Sequence, residues 1–533
     1  MRPLYRHVAM VLSRTFLLLV LLGLLSRAVA QQNNDVPLQR DFYIDLERNA
    51  AKVGARVHSG LKPVLERRAD LDHVMGYRVD STKYYYWLTE KIFRDNLFHI
   101  REGDVHITID PLFQFEGGFD LGDHTAYADT NRYYFNTRGV MVRGDIGTKF
   151  SFQTMIHESQ ALVPQYLFLN TLNTGALSGQ GRAKFDQVRR LDIGWSQANL
   201  SVSPVDWLNI QFGHGKHFVG HGYRSVLLSD HAPNAPYLKF SAITSNKRLQ
   251  YSTWHTKMTS GLGIRDRLPT GSSSENLFYW YRARFNHLSV DLGRLQIGLF
   301  EATQFATIDS NGVKPFDLLE LNPVIGVNSL LGLASTDART VLGADLRFKL
   351  LDKAYLYGQL AHDGHLAWQA GLRAFDVLRK DLHVQLEYNT AEPFMYMHDP
   401  SQLAYEHAGM PLAHPLGTSF QEAVAIVDVG IRERLWFQAK VNLAHFQFDS
   451  LVTDNHGTSL LKPEADVVNA REASDRTLTY LDLNASYLFN PHTNLRFVVG
   501  MWRRDLPGAT DNVQSTYIYA AIRTSVFNRY YDL

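Results

Sequence analysis

Along much of this chain polar and apolar residues alternate with a period of two. In LHVQLEYN (382–389), Leu382, Val384, Leu386 and Tyr388 fall on one face, and His383, Gln385, Glu387 and Asn389 on the other. TKFSFQTMIHE (148–158) sets Phe150, Phe152 and Ile156 against Lys149, Ser151, Gln153 and His157. RLWFQAKVNL (434–443) opposes Leu435, Phe437, Ala439, Val441 and Leu443 to Gln438, Lys440 and Asn442. VLGADLRFKLL (341–351) places Asp345, Arg347 and Lys349 opposite Leu342, Ala344, Leu346, Phe348 and Leu350. LDLNASYLF (481–489) and NLRFVVGMW (494–502) repeat the pattern. Successive side chains of a strand point to opposite sides, so these segments read as strands with one apolar and one polar face.

A soluble sandwich and a membrane barrel both alternate in this way. Strand length favours the barrel: the segments run to about 10 residues, enough for a tilted strand to cross a bilayer. They fill nearly all of the chain after residue 104. Short turns (RGDIGT at 143–148, SPVDW at 203–207, KLLDKAY at 349–355, FNPHTN at 489–494) alternate with long connections at 159–189, 259–276, 306–340, 391–418 and 450–475. Bacterial barrels have this asymmetry, with short periplasmic turns and long extracellular loops. The pattern predicts an all-β fold: a transmembrane antiparallel outer-membrane β-barrel of about 16–18 strands spanning residues 104–533. VHITIDPLFQFEGG (105–118) is its first strand and STYIYAAIRTSVF (515–527) its last, running almost to the C-terminus and closing the wall so that no sheet edge meets lipid.

The N-terminal part differs. In residues 1–30, Arg2, Arg6 and Arg14 precede the apolar run from Phe16 to Leu25, and Ala28-Val29-Ala30 follows, the pattern of a secretory signal peptide. Residues 31–103 are predicted to form a short, partly helical periplasmic region. Within it STKYYYWLTEKIFRDNLFHI (81–100) reads as an amphipathic helix with Ser81 as N-cap and Trp87, Ile92 and Phe93 on its apolar side.

Composition narrows the function. The chain has no cysteine, which removes thiol nucleophiles, Cys-ligated zinc and iron–sulfur clusters. Its net charge of +1 leaves no electrostatic footprint for nucleic acid. The best attempt at a membrane helix, LLELNPVIGVNSLLGLA (318–334), carries Glu320, two asparagines and a proline. The 26 tyrosines and 30 phenylalanines, at a mean hydropathy of −0.21, suit strands that are apolar only at every second position.

Two stretches carry candidate chemistry. QFGHGKHFVGHGYRSVLLSD (211–230) gathers His214, His217 and His221 with four glycines. Three imidazoles suggest a metal site. On an extended segment, however, His217 and His221 share a face that His214 does not, and the helical spacing of a zinc protease is absent. The structural reading is stronger: glycines let a loop fold into the lumen, with Tyr223, Arg224 and Asp230 as lumen contacts and the two charges held in ion pairs. The second stretch, NTAEPFMYMHDP (389–400) with LAHPLG (412–417), offers Glu392, Tyr396, His398, Asp399 and His414 on one long connection. Carboxylates beside rings suit sugar contact, and two of them admit a glycosidase pair only if their spacing is right. G-x-x-x-x-G-K-[ST], H-E-x-x-H and G-x-S-x-G are all missing. The candidate contacts are therefore Tyr223, Arg224, Asp230, Glu392, Tyr396 and His414, with no catalytic residue, metal or cofactor expected.

Several blocks, taken in order, resemble the RemB gliding-motility family, which is related to the outer-membrane capsule assembly protein Wzi. They are HITIDPLFQFEGG, NTRGVMVRGDIGTKFSFQTMIHESQ (136–160), GHGKHFVGHGYRSVLLSDHAPNAPYLKF (213–240), LELNPVIG, VLGADLRFKLLDKAYLYGQL, YNTAEPFMY (388–396) and LAHPLGTSFQE (412–422). The resemblance implies a monomeric barrel of about 18 strands in outer-membrane lipid. It also implies a non-enzymatic role in attaching surface polysaccharide or in gliding. The alternative is a diffusion channel, for which Arg347, Lys349, Lys440 and Arg496 would supply a polar lumen.

Overall fold

The computed structural model describes residues 33–69, 86–186, 189–263, 278–309, 312–327, 338–399, 401–449, 455–461, 473–507, 514–524 and 527–533. Residues 1–30, read as a signal peptide, lie outside the described residues, as does Ser81.

Eighteen long antiparallel strands close into one barrel, the upper figure of the sequence expectation. In chain order they are β1 (Val105–Asp120), β2 (Tyr133–Ile146), β3 (Phe150–Leu162), β4 (Leu191–Val205), β5 (Leu208–Gly215) and β6 (Ala235–Ile243). Next come β7 (Leu249–Gly263), β8 (Phe278–Asp291), β9 (Leu295–Ala306), β10 (Ala338–Leu351), β11 (Ala354–His362) and β12 (Leu366–Ala374). The wall ends with β13 (Leu382–Ala391), β14 (Phe420–Ile431), β15 (Leu435–Phe448), β16 (Ser474–Asn490), β17 (Leu495–Asp505) and β18 (Ser515–Arg523). β18 pairs with β1 from Tyr517↔Asp120 to Arg523↔Gln114, leaving no wall edge unpaired. Short turns and long connections alternate around the two rims, apart from β11 and β12, which are joined at the long-connection rim by 363–365 alone.

The alternation sorts as predicted. His383, Gln385, Glu387 and Asn389 are buried inside, as are Asp345, Arg347, Lys349, Lys440 and Asn442. Leu386, Leu346, Phe437, Val441 and Leu443 stand exposed on the outer face. An exposed apolar exterior over a polar interior is the wall of an outer-membrane barrel, because lipid accepts only the apolar set. Among the described residues, no helix is long and apolar enough to cross a membrane.

The outer wall departs from the rule on two neighbouring strands. On β8 and β9, Arg284, Asn286 and Glu301 occupy outward positions, which the inward burial of Phe285, His287 and Phe300 fixes by alternation. They are nonetheless almost fully buried, because residues 312–327 of the β9–β10 connection fold down over them. The apolar stretch 318–334 thus begins as this external flap, with Leu318–Leu321 as a 3₁₀ turn; 328–337 lie outside the described residues.

Two sequence expectations need correction. The last wall strand stops at Arg523. Beyond it the chain turns inward: Phe527 packs on Phe135, and Tyr530, Tyr531 and Asp532 are buried. Among the described residues of the helix predicted over 81–100, only α2 (Trp87–Phe93) is helical, and 98–102 is extended and paired to the start of β1. The carboxylate of Asp110 takes the Leu97 N–H at 2.9 Å and the Asn96 amide at 2.6 Å, drawing the chain out of the helix. Of the predicted apolar side, Phe93 packs on Phe489, while Trp87 and Ile92 are exposed.

Residues 33–69 pack against the inner wall. Asp35 accepts from Asn199 and Gln211, helix α1 (Arg40–Ala51) lies beside Tyr355 and Asp381, and Arg347 donates to Ser59 Oγ at 2.8 Å. Leu61–Lys62 pairs as a two-residue ladder with Phe218–Val219 of the Gly-rich segment.

Candidate functional site

The lumen is filled by four pieces of the chain that meet at one arginine. The β5–β6 connection (216–234) turns into the barrel, and the backbone N–H groups of Tyr223 and Arg224 donate to the Glu387 carboxylate at 2.6 and 2.9 Å. Two glycines make this approach possible. Gly220 has φ +126°, a conformation that side chains disfavour, and a Cβ on Gly222 would stand 2.5 Å from Glu387 Oε2.

Arg224 is 1% exposed. Its Nη2 lies 3.1 Å from Glu422 Oε1 on β14 and 3.1 Å from Asp532 Oδ1 on the C-terminal tail. Asp532 also takes Lys440 at 2.8 Å and the Tyr223 hydroxyl at 2.9 Å. Burial alone would raise the Asp532 pKa, but Arg224 and Lys440 pull it far below the usual carboxylate range, so the tail is held as an anion. The Arg40 guanidinium of α1 sits 3.7 Å from the centre of the Tyr223 ring and bonds the Tyr223 carbonyl at 3.2 Å. A desolvated arginine with two carboxylates, a ring stack and a pinned loop is a clamp, since separating any member strands a buried charge.

Of the sequence candidates, Tyr223 and Arg224 therefore share this clamp. Asp230 joins it from beside: it accepts from Asn528 at 2.7 Å and from the Tyr530 hydroxyl, tying the loop to the tail. Its partner is not Arg224, contrary to the simplest ion-pair reading. Tyr396 and its stacking neighbour Tyr405 donate their hydroxyls to the carbonyls of Val226 and Leu227, pressing the 392–419 connection onto the loop. His414 bonds Glu422 at 2.7 Å and stacks on Phe420. Only Glu392 is exposed; it takes the Leu366 N–H at 2.8 Å. Five of the six candidates thus brace the molecule from within, and one lies at its surface.

The three histidines do not converge. His214 bonds the Ser196 carbonyl, His217 stacks on Trp254, and His221 faces Asp345. Burial holds His217 and His221 well below the usual imidazole range, so both are neutral core rings. The group that does bring three ligand atoms within 4.8 Å among the described residues is Asp376, Asp381 and His383. Its cation is already present as Arg48, 3.1 Å from Asp381 and 3.5 Å from Asp376.

The cations named for a channel are likewise engaged. Arg347 holds Ser59 and the Val57 carbonyl, Lys349 the Ala55 carbonyl, Lys440 the tail, and Arg496 Asn494 and Asp41. Beside Tyr223 and Lys440 a chamber of about 190 Å³ remains in the lumen. Tyr480, Trp502 and Tyr519 line it beside Asn484, Asp482 and Arg523. Sequence reasoning missed Glu387, Glu422 and Asp532 as partners. The first two sat on segments already singled out, but nothing in the chain pointed to the tail.

No family model and no curated protein matches the chain. Solved structures do. Wzi of Escherichia coli, an outer-membrane protein involved in group 1 capsule assembly and a carbohydrate-binding β-barrel, aligns over 92% of this chain and 100% of its own at 14% identity, with a TM-score of 0.55. OprD of Pseudomonas aeruginosa aligns over 78% of this chain and 94% of its own at 10% identity, with a TM-score of 0.41. A BenF-like porin of Pseudomonas fluorescens gives 79%, 99%, 10% and 0.43. The likeness to Wzi is one of fold over nearly the whole length of both chains. The resemblance to the RemB family rests on the sequence blocks alone.

Proposed function

We propose that this protein is a non-enzymatic outer-membrane barrel that holds surface polysaccharide at the cell. One observation carries the reading: the chain's own N-terminal segment, Gly-rich loop, long connection and C-terminal tail fold into the lumen and are tied together around Arg224. A barrel braced in this way presents its long-connection rim as a fixed surface. Glycan recognition needs such a surface, because ordering a mobile loop on binding costs affinity. Glu392, Phe394 and Asp399 are exposed on that rim, carboxylates beside a ring. The fold shared with Wzi supports the same reading.

The test compares cell-attached with shed polysaccharide in a strain lacking the protein. Transfer of polysaccharide from cells to medium is the expected result; unchanged retention defeats the reading and leaves a role in gliding, scored by colony spreading, as its replacement. Purified protein in a planar bilayer should carry no steady current. A stable single-channel conductance would return the molecule to the channel class.

A further inference from the structure

The outer wall carries a second site, on the lipid side. β7 and β8 pair Lys257 with Arg282 and His255 with Arg284, and all four positions face outward. Like charges directly opposite on neighbouring strands repel unless an anion sits between them. Arg282 has one: Glu320 of the flap grips it through both oxygens, at 2.6 and 2.7 Å. Lys257 is exposed, rests 4.1 Å from the Trp280 ring, and has no carboxylate partner among the described residues.

Beside these cations a groove of about 300 Å³ runs between the flap and the outer faces of β5 and β6. Its apolar walls are Phe212, Leu238, Phe305 and Phe316. Phe212 and Phe316 are 64% and 54% exposed, so water or lipid must cover them. The register sets the vertical order. Thr256 pairs with Tyr237, which puts Lys257 level with the first residues of β6 at the long-connection rim. Leu238 pairs with His255 and with Phe212, one step deeper in the wall. Read from the outside inward, the site is the exposed Lys257 ammonium above an apolar slot.

We propose that this groove binds a phosphorylated glycolipid of the outer leaflet, with a phosphate on Lys257 and an acyl chain along Phe212 and Leu238. The long-connection rim is the extracellular one, so the lipid available to Lys257 is that of the outer leaflet. A phosphate supplies the anion that Lys257 lacks among the described residues, Arg282 being held by Glu320, and an acyl chain matches the slot. The flap, clipped through Glu320, forms one side of the site and the wall the other.

The test is native mass spectrometry of the full-length barrel in a non-ionic detergent. The protein is incubated in turn with a bisphosphorylated acylated disaccharide, phosphatidylglycerol and phosphatidylcholine. Wild-type protein should retain the disaccharide lipid over both phospholipids. Lys257→Glu should lower the retained fraction about tenfold, the cost of losing one charge-assisted contact. Leu238→Trp, which fills the slot without touching a charge, should lower it as well. Both positions are on the exterior, and the heat-dependent gel mobility of folded barrels checks that each variant is folded. Equal retention by wild type and Lys257→Glu overturns the site. Equal retention of phosphatidylglycerol and the disaccharide lipid overturns its assignment to the outer-leaflet lipid.

Discussion

Arg224 and Arg284 are each 1% exposed, and each meets a glutamate, but they solve the burial of a charge in opposite places. Arg224 is inside, and its partners arrive from far along the chain: Glu422 is 198 residues away, and the Asp532 carbonyl that also accepts from it is 308 away. Arg284 is on the outer face, and its partners are local: Glu301 on the next strand and the Glu320 carbonyl on the flap, 17 and 36 residues away. The inner ion pair therefore knits loop, wall and tail into one unit, whereas the outer pair secures a flap to its own hairpin. A charge deprived of water imposes order on whatever supplies its counter-charge. The sequence separation of the partners decides how much of the molecule that order reaches.

The largest effect should follow from breaking the inner pair. Arg224→Met leaves Glu422 buried with His414, Asn389 and Asn442, and Asp532 buried with Lys440 and the Tyr223 hydroxyl, so the cluster loses its arginine but keeps both carboxylates. The expected loss is about 3–5 kcal/mol, read as a fall in the urea midpoint of the detergent-solubilised barrel. Amide exchange should rise in 220–231 and 528–533 together. The double variant Arg224→Met/Glu422→Gln should lose less than the sum of the singles, because it removes both members of the pair. Faster exchange in the loop with an unchanged tail would show that Arg224 does not join them.

Arg284→Leu is the outer counterpart and should cost less, about 2 kcal/mol, the worth of a hydrogen bond to a charged group. Glu301 would keep the Asn286 amide and the Gly326 N–H, so a charge on the lipid side stays hydrogen-bonded. The signature is spatial. Exchange should rise across 312–327 and stay flat at 528–533. If the tail loosens too, the two regions are coupled and the contrast fails.

The difference between the regions also explains what could be read from the chain. The wall was legible because lipid acts on every strand separately: 382–389 shows its apolar face without reference to any other segment. The outer patch was missed, although RARFNH (282–287) alternates Arg282, Arg284 and Asn286 with Ala283, Phe285 and His287, because alternation alone does not say which of the two faces meets lipid. The clamp was half legible. Glycines and charges at 213–230 announced a loop inside the lumen, and polar alternation announced that Glu387 points inward. Which inward residue meets which depends on closing an eighteen-strand ring and on a tail that crosses its interior, and period two carries no information about contacts across a lumen. The same limit misplaced the end of the wall: alternation continues past Arg523 in TSVF, but Phe527 finds its partner in Phe135 inside the barrel.

Another carboxylate sharpens the comparison because it is buried with little help from any cation. Glu406, in the 392–419 connection, accepts from the backbone N–H groups of Gly261 and Gly409 at 2.8 and 2.7 Å. Burial outweighs these bonds and pushes its pKa up to about 7. The folded protein therefore binds a proton between pH 4.5 and 7 that the unfolded chain, with an ordinary glutamate, has already released. Stability from this group is fully present below pH 4.5, declines as pH rises through 7, and is constant above it. The amplitude should be roughly 1–3 kcal/mol, smaller than the loss at Arg224 because backbone donors still satisfy the carboxylate after ionisation. Amide exchange in 404–411, followed from pH 5 to pH 8 and corrected for intrinsic rates, should show the connection loosening with rising pH. Glu406→Gln, which mimics the protonated group, should abolish that dependence while leaving the loop protected. A slope that persists in Glu406→Gln would place the titrating group elsewhere, and a rise in protection with pH would reverse the sign and show Glu406 to be stabilised as an anion, as Asp532 is.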